Sequence, residues 1–156
     1  MRSGNRPQGG FTYIAILFAV AAAGLVLAGV GEMWSHARQR EKEAELLWVG
    51  EQFREAIGLY YQRSPGSVKR YPQSLQDLLE DKRHLSMQRY LRKIYVDPMT
   101  GKAEWGLLPA PGGGIAGVYS LSRAQPLKTG KFPVQYREFQ GLKQYSDWRF
   151  SYLPPK

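Results

Sequence analysis

Two histidines, His36 and His84, are the only ones in the sequence, and no cysteine accompanies them. Neither has a second histidine at ligand spacing, so both read as surface residues rather than zinc ligands. The lack of cysteine excludes a disulfide framework and a catalytic thiol. Glu80 and Asp81 form a carboxylate pair, but they are adjacent on an expected helix, where neighbours do not face each other. Residues 109–114 are glycine-rich yet lack the lysine and Ser/Thr of a phosphate-binding loop, so they read as a turn. No serine sits in a nucleophile-elbow pattern. The chain therefore reads as non-enzymatic and free of cofactors, with a signal-anchored periplasmic enzyme as the lesser alternative, since catalytic groups can converge from distant positions. The stretch with a chemistry of its own is GGFTYIAILF, residues 9–18, where two glycines meet the start of a long uncharged run.

That run, residues 11–31, carries no formal charge between Arg6 and Glu32. A hydrocarbon core about 30 Å thick needs ~20 helical residues, so the segment is long enough to span a membrane. It exceeds the roughly 7 to 15 apolar residues of a signal-peptide core. Ala21, Ala22, Ala23 and Ala28 nevertheless offer small residues to a signal peptidase. Basic residues flank both sides, with Arg2 and Arg6 before and Arg38, Arg40 and Lys42 after, so charge alone gives no clean orientation. Ala19 with Ala23, and Gly24 with Ala28, have the small-x-x-x-small spacing that lets helices approach closely in lipid.

The junction resembles the prepilin-peptidase site of type IV pilins and type II secretion pseudopilins: Gly10, then Phe11, Thr12 and Ile14, then an unbroken apolar helix. The resemblance implies removal of a leader, residues 1–10, by cleavage between Gly10 and Phe11, with N-methylation of the new terminal Phe11. It also implies a helix that is retained and packed into a filament. Ala15 stands where most of the family has a glutamate, whose charge helps dock a new subunit. A carboxylate in lipid costs about 2.5 to 3.5 kcal/mol on insertion scales, so Ala15 avoids that cost and lacks the docking charge.

No proline occurs between Pro7 and Pro65, so the helix is expected to continue to near Arg63, roughly 80 Å at 1.5 Å per residue. Leu46, Val49, Phe53, Ile57 and Tyr60 recur every three or four residues and mark a face to bury. Residues 36–45 are almost wholly polar. Arg38 with Glu41, Arg40 with Glu43 and Lys42 with Glu45 are three apart, as on a solvated helical neck.

The expected organisation is a leader at 1–10, a membrane or filament-core helix at 11–31, its continuation at 32–63, and a globular domain at 64–156. In that domain Ser74 and Asp77 have capping-box spacing ahead of Leu75, Leu78 and Leu79. Asp97-Pro98-Met99-Thr100-Gly101 reads as a turn. Strands are expected at 104–108, 117–122 and 148–152. The fold class is α+β, a long N-terminal helix packed on a small antiparallel sheet.

This half is similar to the major-pseudopilin-like proteins of type II secretion. The residues that carry the likeness are Tyr71-Pro72 with Leu75 and Leu78, Asp97-Pro98 with Gly101 and Trp105, Gly114 with the following Ile115 and Ala116, and the closing Tyr145-Ser146-Asp147-Trp148. Such proteins often hold calcium in a C-terminal acidic loop, and calcium takes six to eight oxygens. After Glu104 the acids here are Glu138 and Asp147, so Asp147 is the candidate ligand and no metal is expected. Packing of Trp148, Phe150 and Tyr152 is expected to hold the last loop instead.

The resemblance implies a single-pass protein of the inner membrane of a Gram-negative bacterium, with its domain in the periplasm. Its partners would be other pseudopilins, prepilin peptidase, the inner-membrane assembly platform and an ATPase complex. A formal charge of +9 with Tyr 10, Phe 6 and Trp 4 keeps open a minor pilin or DNA-uptake pseudopilin, whose exposed aromatics would stack on single-stranded DNA.

Overall fold

The structure, a computed structural model, describes residues 9–155, with side-chain environments defined in 12–24 and 34–155. Residues 1–8 of the expected leader lie outside the described residues, as do the environments of Gly10 and Phe11. The chain divides into two compact units, one ending at Gln39 and one beginning at Arg40.

The described part of the first unit belongs to α1 (Gly9–Gln62). Tyr13, Ile14, Ile16, Leu17, Phe18 and Val20 are each more than half exposed there. An exposed helix that is apolar all round is suited to an apolar surrounding. Among the described residues, no helix is long and apolar enough to cross a membrane. Residues 12–24 fall short of the ~20 that a span needs. The side chains of 25–31, the rest of the expected span, lie outside the described residues.

In the second unit α1 buries the face that its periodicity announced: Leu46, Val49, Phe53, Ala56, Ile57 and Tyr60. The helix ends at Gln62 and the Ser64-Pro65-Gly66 turn follows, with Gly66 at φ 80°. A four-residue 3-10 helix, Leu75–Leu78, then buries Leu78. The Asp77 carboxylate reaches back to accept from the backbone N–H of Ser74 at 3.0 Å and of Gln73 at 2.8 Å. The capping spacing thus produced a single tight turn. Glu80 and Asp81 lie beyond it and are not helical, which corrects the expectation that they share a helix.

The sheet is three-stranded and antiparallel in the order β1 (Gly106–Pro109), β2 (Ile115–Tyr119), β3 (Arg149–Ser151). Leu107 faces Val118 across β1 and β2, and Val118 faces Phe150 across β2 and β3. The glycine-rich stretch forms the β1 to β2 turn, with Gly112, Gly113 and Gly114 all at positive φ. The strands are shorter than expected. Strand β2 stops before Ser120 because that side chain turns to donate to Asp97 Oδ2 at 2.7 Å and accepts from Ser122 N at 3.1 Å.

A layer of aromatic rings covers β3 and the helix. Phe139 stacks on Trp148 at 5.6 Å and meets Phe150 edge-on at 5.3 Å. Trp148 and Phe150 are fully buried and Tyr152 packs against the core, as expected for the last loop. The sheet approaches α1 so closely that a Cβ on Gly50 would lie 2.3 Å from the Phe150 ring, and one on Gly58 would lie 2.7 Å from the Tyr152 ring. A helix-interior glycine costs up to about 1 kcal/mol relative to alanine, and here it allows backbone-to-ring contact.

Replacing Gly50 with alanine should destabilise the unit by about 1 to 3 kcal/mol, because the buried Phe150 cannot withdraw. Gly58→Ala should cost less, since Tyr152 is partly exposed and its ring can move. Thermal unfolding of the two variants checks the order, and equal or reversed effects would contradict the packing.

Candidate functional site

The junction residues Gly10 and Phe11 lie in the first turns of α1, and Ala15 follows as an exposed helical residue. Asp147 is exposed in the 3-10 turn Tyr145–Asp147, and among the described residues no three acidic, histidine or cysteine side chains gather into a metal cluster.

The charged neck departs most from expectation. Glu43 is 3% exposed instead of solvated, and it does not pair with Arg40. Its Oε1 accepts from the backbone N–H of Leu127 at 2.6 Å and of Lys128 at 3.1 Å, and from the Tyr145 hydroxyl at 2.9 Å. A buried carboxylate is tolerated when donors replace its lost water, and three donors do so here. One signal could have found it: Glu43 lies one turn before Leu46, on the same stripe that Val49 and Phe53 continue.

With Glu43 engaged by the loop, Arg40, Lys128 and Lys131 line a cleft of about 490 Å3 whose apolar wall includes Ala44, Leu47 and Leu127. Lys128 Nζ sits 5.3 Å from the centre of the Phe132 ring. The Lys131 backbone is left-handed, at φ 57°, an uncommon conformation for a residue with a side chain.

A second polar joint closes the C-terminal end of α1. Arg83 Nη2 donates to the Tyr60 carbonyl at 2.9 Å and Nη1 donates to Ser64 Oγ at 2.8 Å, so a cation satisfies helix-end acceptors. The guanidinium carbon is 3.5 Å from the centre of the Tyr60 ring. Arg83 also grips Asp81, with Nε on Oδ1 at 2.8 Å and Nη2 on Oδ2 at 2.7 Å, and Tyr90 donates to Oδ2 at 3.1 Å. His84 lies beside this pair with its Nε2 3.6 Å from Asp81 Oδ2. Burial pushes the Asp81 carboxyl up, but Arg83 and Tyr90 outweigh it and bring the pKa down to about 2.

Elsewhere Glu51 accepts from Arg54 Nε at 3.0 Å and also from the Tyr136 hydroxyl. Arg54 holds that carboxyl below the usual range, while burial and then Glu51 push the Tyr136 phenol up. These groups tie α1 to the loops and form no nucleophile and base pair.

Because the folded pKa of Asp81 is depressed, its stabilising contribution is present above about pH 4 and is lost as pH falls toward about 2. Its full size is on the order of 2 kcal/mol. Urea unfolding of the full chain in detergent should show wild type and Asp81→Asn converging across that window, and a gap independent of pH would contradict the pairing. Compared with protein-family models, curated proteins and solved structures, the chain matches none.

Proposed function

We propose that this chain is a structural subunit of a type II secretion pseudopilus. The observation that carries the reading is the Gly10-Phe11 junction at the head of α1, followed at once by exposed apolar residues. Prepilin peptidase removes residues 1–10, Phe11 becomes the methylated N-terminus, and the apolar helix anchors the protein in the inner membrane before it packs into a periplasmic filament. Heterologous contacts that do not close build such a fibre. An assembly platform and an ATPase complex supply the work of extraction.

The packing of α1 on a small antiparallel sheet supports a pilin-like arrangement. The distribution of aromatics favours a structural subunit over a DNA-uptake protein. Among the described residues from Arg40 on, Trp48 is the one aromatic side chain more than half exposed, and stacking on single-stranded DNA needs a platform of exposed rings. Ala15 places the subunit apart from those that dock through a buried acid, which suits a minor, tip position.

Intact-mass measurement of membrane-expressed protein, with and without prepilin peptidase, tests the reading. The mature chain should begin at Phe11 and carry one added methyl group only when the peptidase is present. A chain that still begins at Met1, or one cut near Ala23 or Ala28, would overturn it.

A further inference from the structure

The cleft beside Glu43 has no part in the processing junction or the helix-sheet core. Its cations Arg40, Lys128 and Lys131 outnumber its single carboxylate, and that carboxylate already accepts from Leu127, Lys128 and Tyr145. None of the ion pairs among the described residues involves Arg40, Lys128 or Lys131. Three cations against one carboxylate leave a net positive charge in a concavity of about 490 Å3.

Its size lies within the usual range for small-molecule sites, and a guanidinium with two ammonium groups suits a phosphate. No aromatic residue lines it, so a nucleobase would find nothing to stack on. The apolar wall of Ala44, Leu47 and Leu127 matches the glycerol and upper acyl region that accompanies a lipid phosphate. In the sequence the uncharged run ends at Gly31 and Arg40 follows closely, a separation that even extended chain covers in about 30 Å.

We propose that this cleft binds the phosphate group of an anionic lipid headgroup. The site rests on the membrane-anchored reading above. Its effect is to hold the domain at the bilayer surface before assembly, through an attraction that salt weakens and that neutral lipid does not supply.

The test uses the full chain in lipid nanodiscs, either neutral phosphatidylcholine or containing phosphatidylglycerol, with lysine acylation read by mass spectrometry. Lys128 and Lys131 should be acylated roughly fivefold more slowly in the anionic discs, the scale of one basic side chain's attraction to such a surface. Exposed Lys102 and Lys143 should change little. Arg40→Gln should abolish the difference while leaving Lys102 and Lys143 as they were.

Equal slowing at all four lysines would overturn the proposal, since it reports general surface attraction. Equal acylation of Lys128 and Lys131 in both discs would overturn it too, as would protection in neutral discs by an acidic peptide or an oligonucleotide stronger than that by phosphatidylglycerol. A further arm adds glycerol phosphate to neutral discs. Protection there equal to that in anionic discs assigns the site to free phosphate and contradicts the lipid assignment. Elution of the chain apart from the discs marks failure of the membrane reading. In that event retained lysine protection by glycerol phosphate identifies a soluble phosphate site, and its absence removes the phosphate chemistry as well; either result overturns the lipid assignment.

Discussion

The Glu43 carboxylate is the constraint on which the second unit depends. It is buried, so it must be paired, and its donors come from 84, 85 and 102 residues further along the chain. One oxygen therefore fixes the loop at Leu127 and Lys128 and the aromatic layer at Tyr145 against the same turn of α1. Removal of the carboxylate would leave the backbone N–H groups of Leu127 and Lys128 short of that acceptor, each costing about 1 to 3 kcal/mol if it stays dry.

From that point the packing follows in sequence. Tyr145 is seated edge-on to Trp148, 5.3 Å between centres, and Trp148 stacks on Phe139, which meets Phe150. Phe150 lies against the bare backbone of Gly50, so β3 is set against the helix at a distance no larger residue would permit. Asp97 joins the other side of the sheet: it accepts from Met99 N at 2.9 Å and from the Ser120 hydroxyl, which ends β2. Three buried acids hold the loops: Glu43 binds one of them to α1, Asp97 binds its turn to the residue after β2, and Asp81 orients the Arg83 that meets the end of α1. Basic side chains outnumber acidic ones along the chain, and the Arg40 cleft collects three of them.

Much of this could be read from residue spacing. The stripe from Leu46 to Tyr60, the Ser74 and Asp77 cap, the Asp97 turn and the three strand positions rest on local patterns, and each appears with bounds moved by a few residues. Glu43 and Asp81 were misplaced because their partners are tertiary. Three evenly spaced ion pairs in a polar stretch look solvated, and nothing near Glu43 in sequence announces a loop from residue 127 on. Likewise, Asp81 beside Glu80 looked helical until Arg83 and Gln88 claimed its side chain and its backbone. The Gly50 contact was hidden for a related reason: a glycine in a helix pattern carries no sign of the ring that will press on it.

Amide hydrogen exchange at Leu127 and Lys128 measures the central joint directly. In the wild-type chain both amides should be protected to nearly the level of Val118 in β2. In Glu43→Ala they should exchange many times faster while Val118 stays protected, which would show the loop released from an otherwise folded unit. Equal protection in the two proteins, or free exchange at both amides already in wild type, would contradict the role assigned to Glu43.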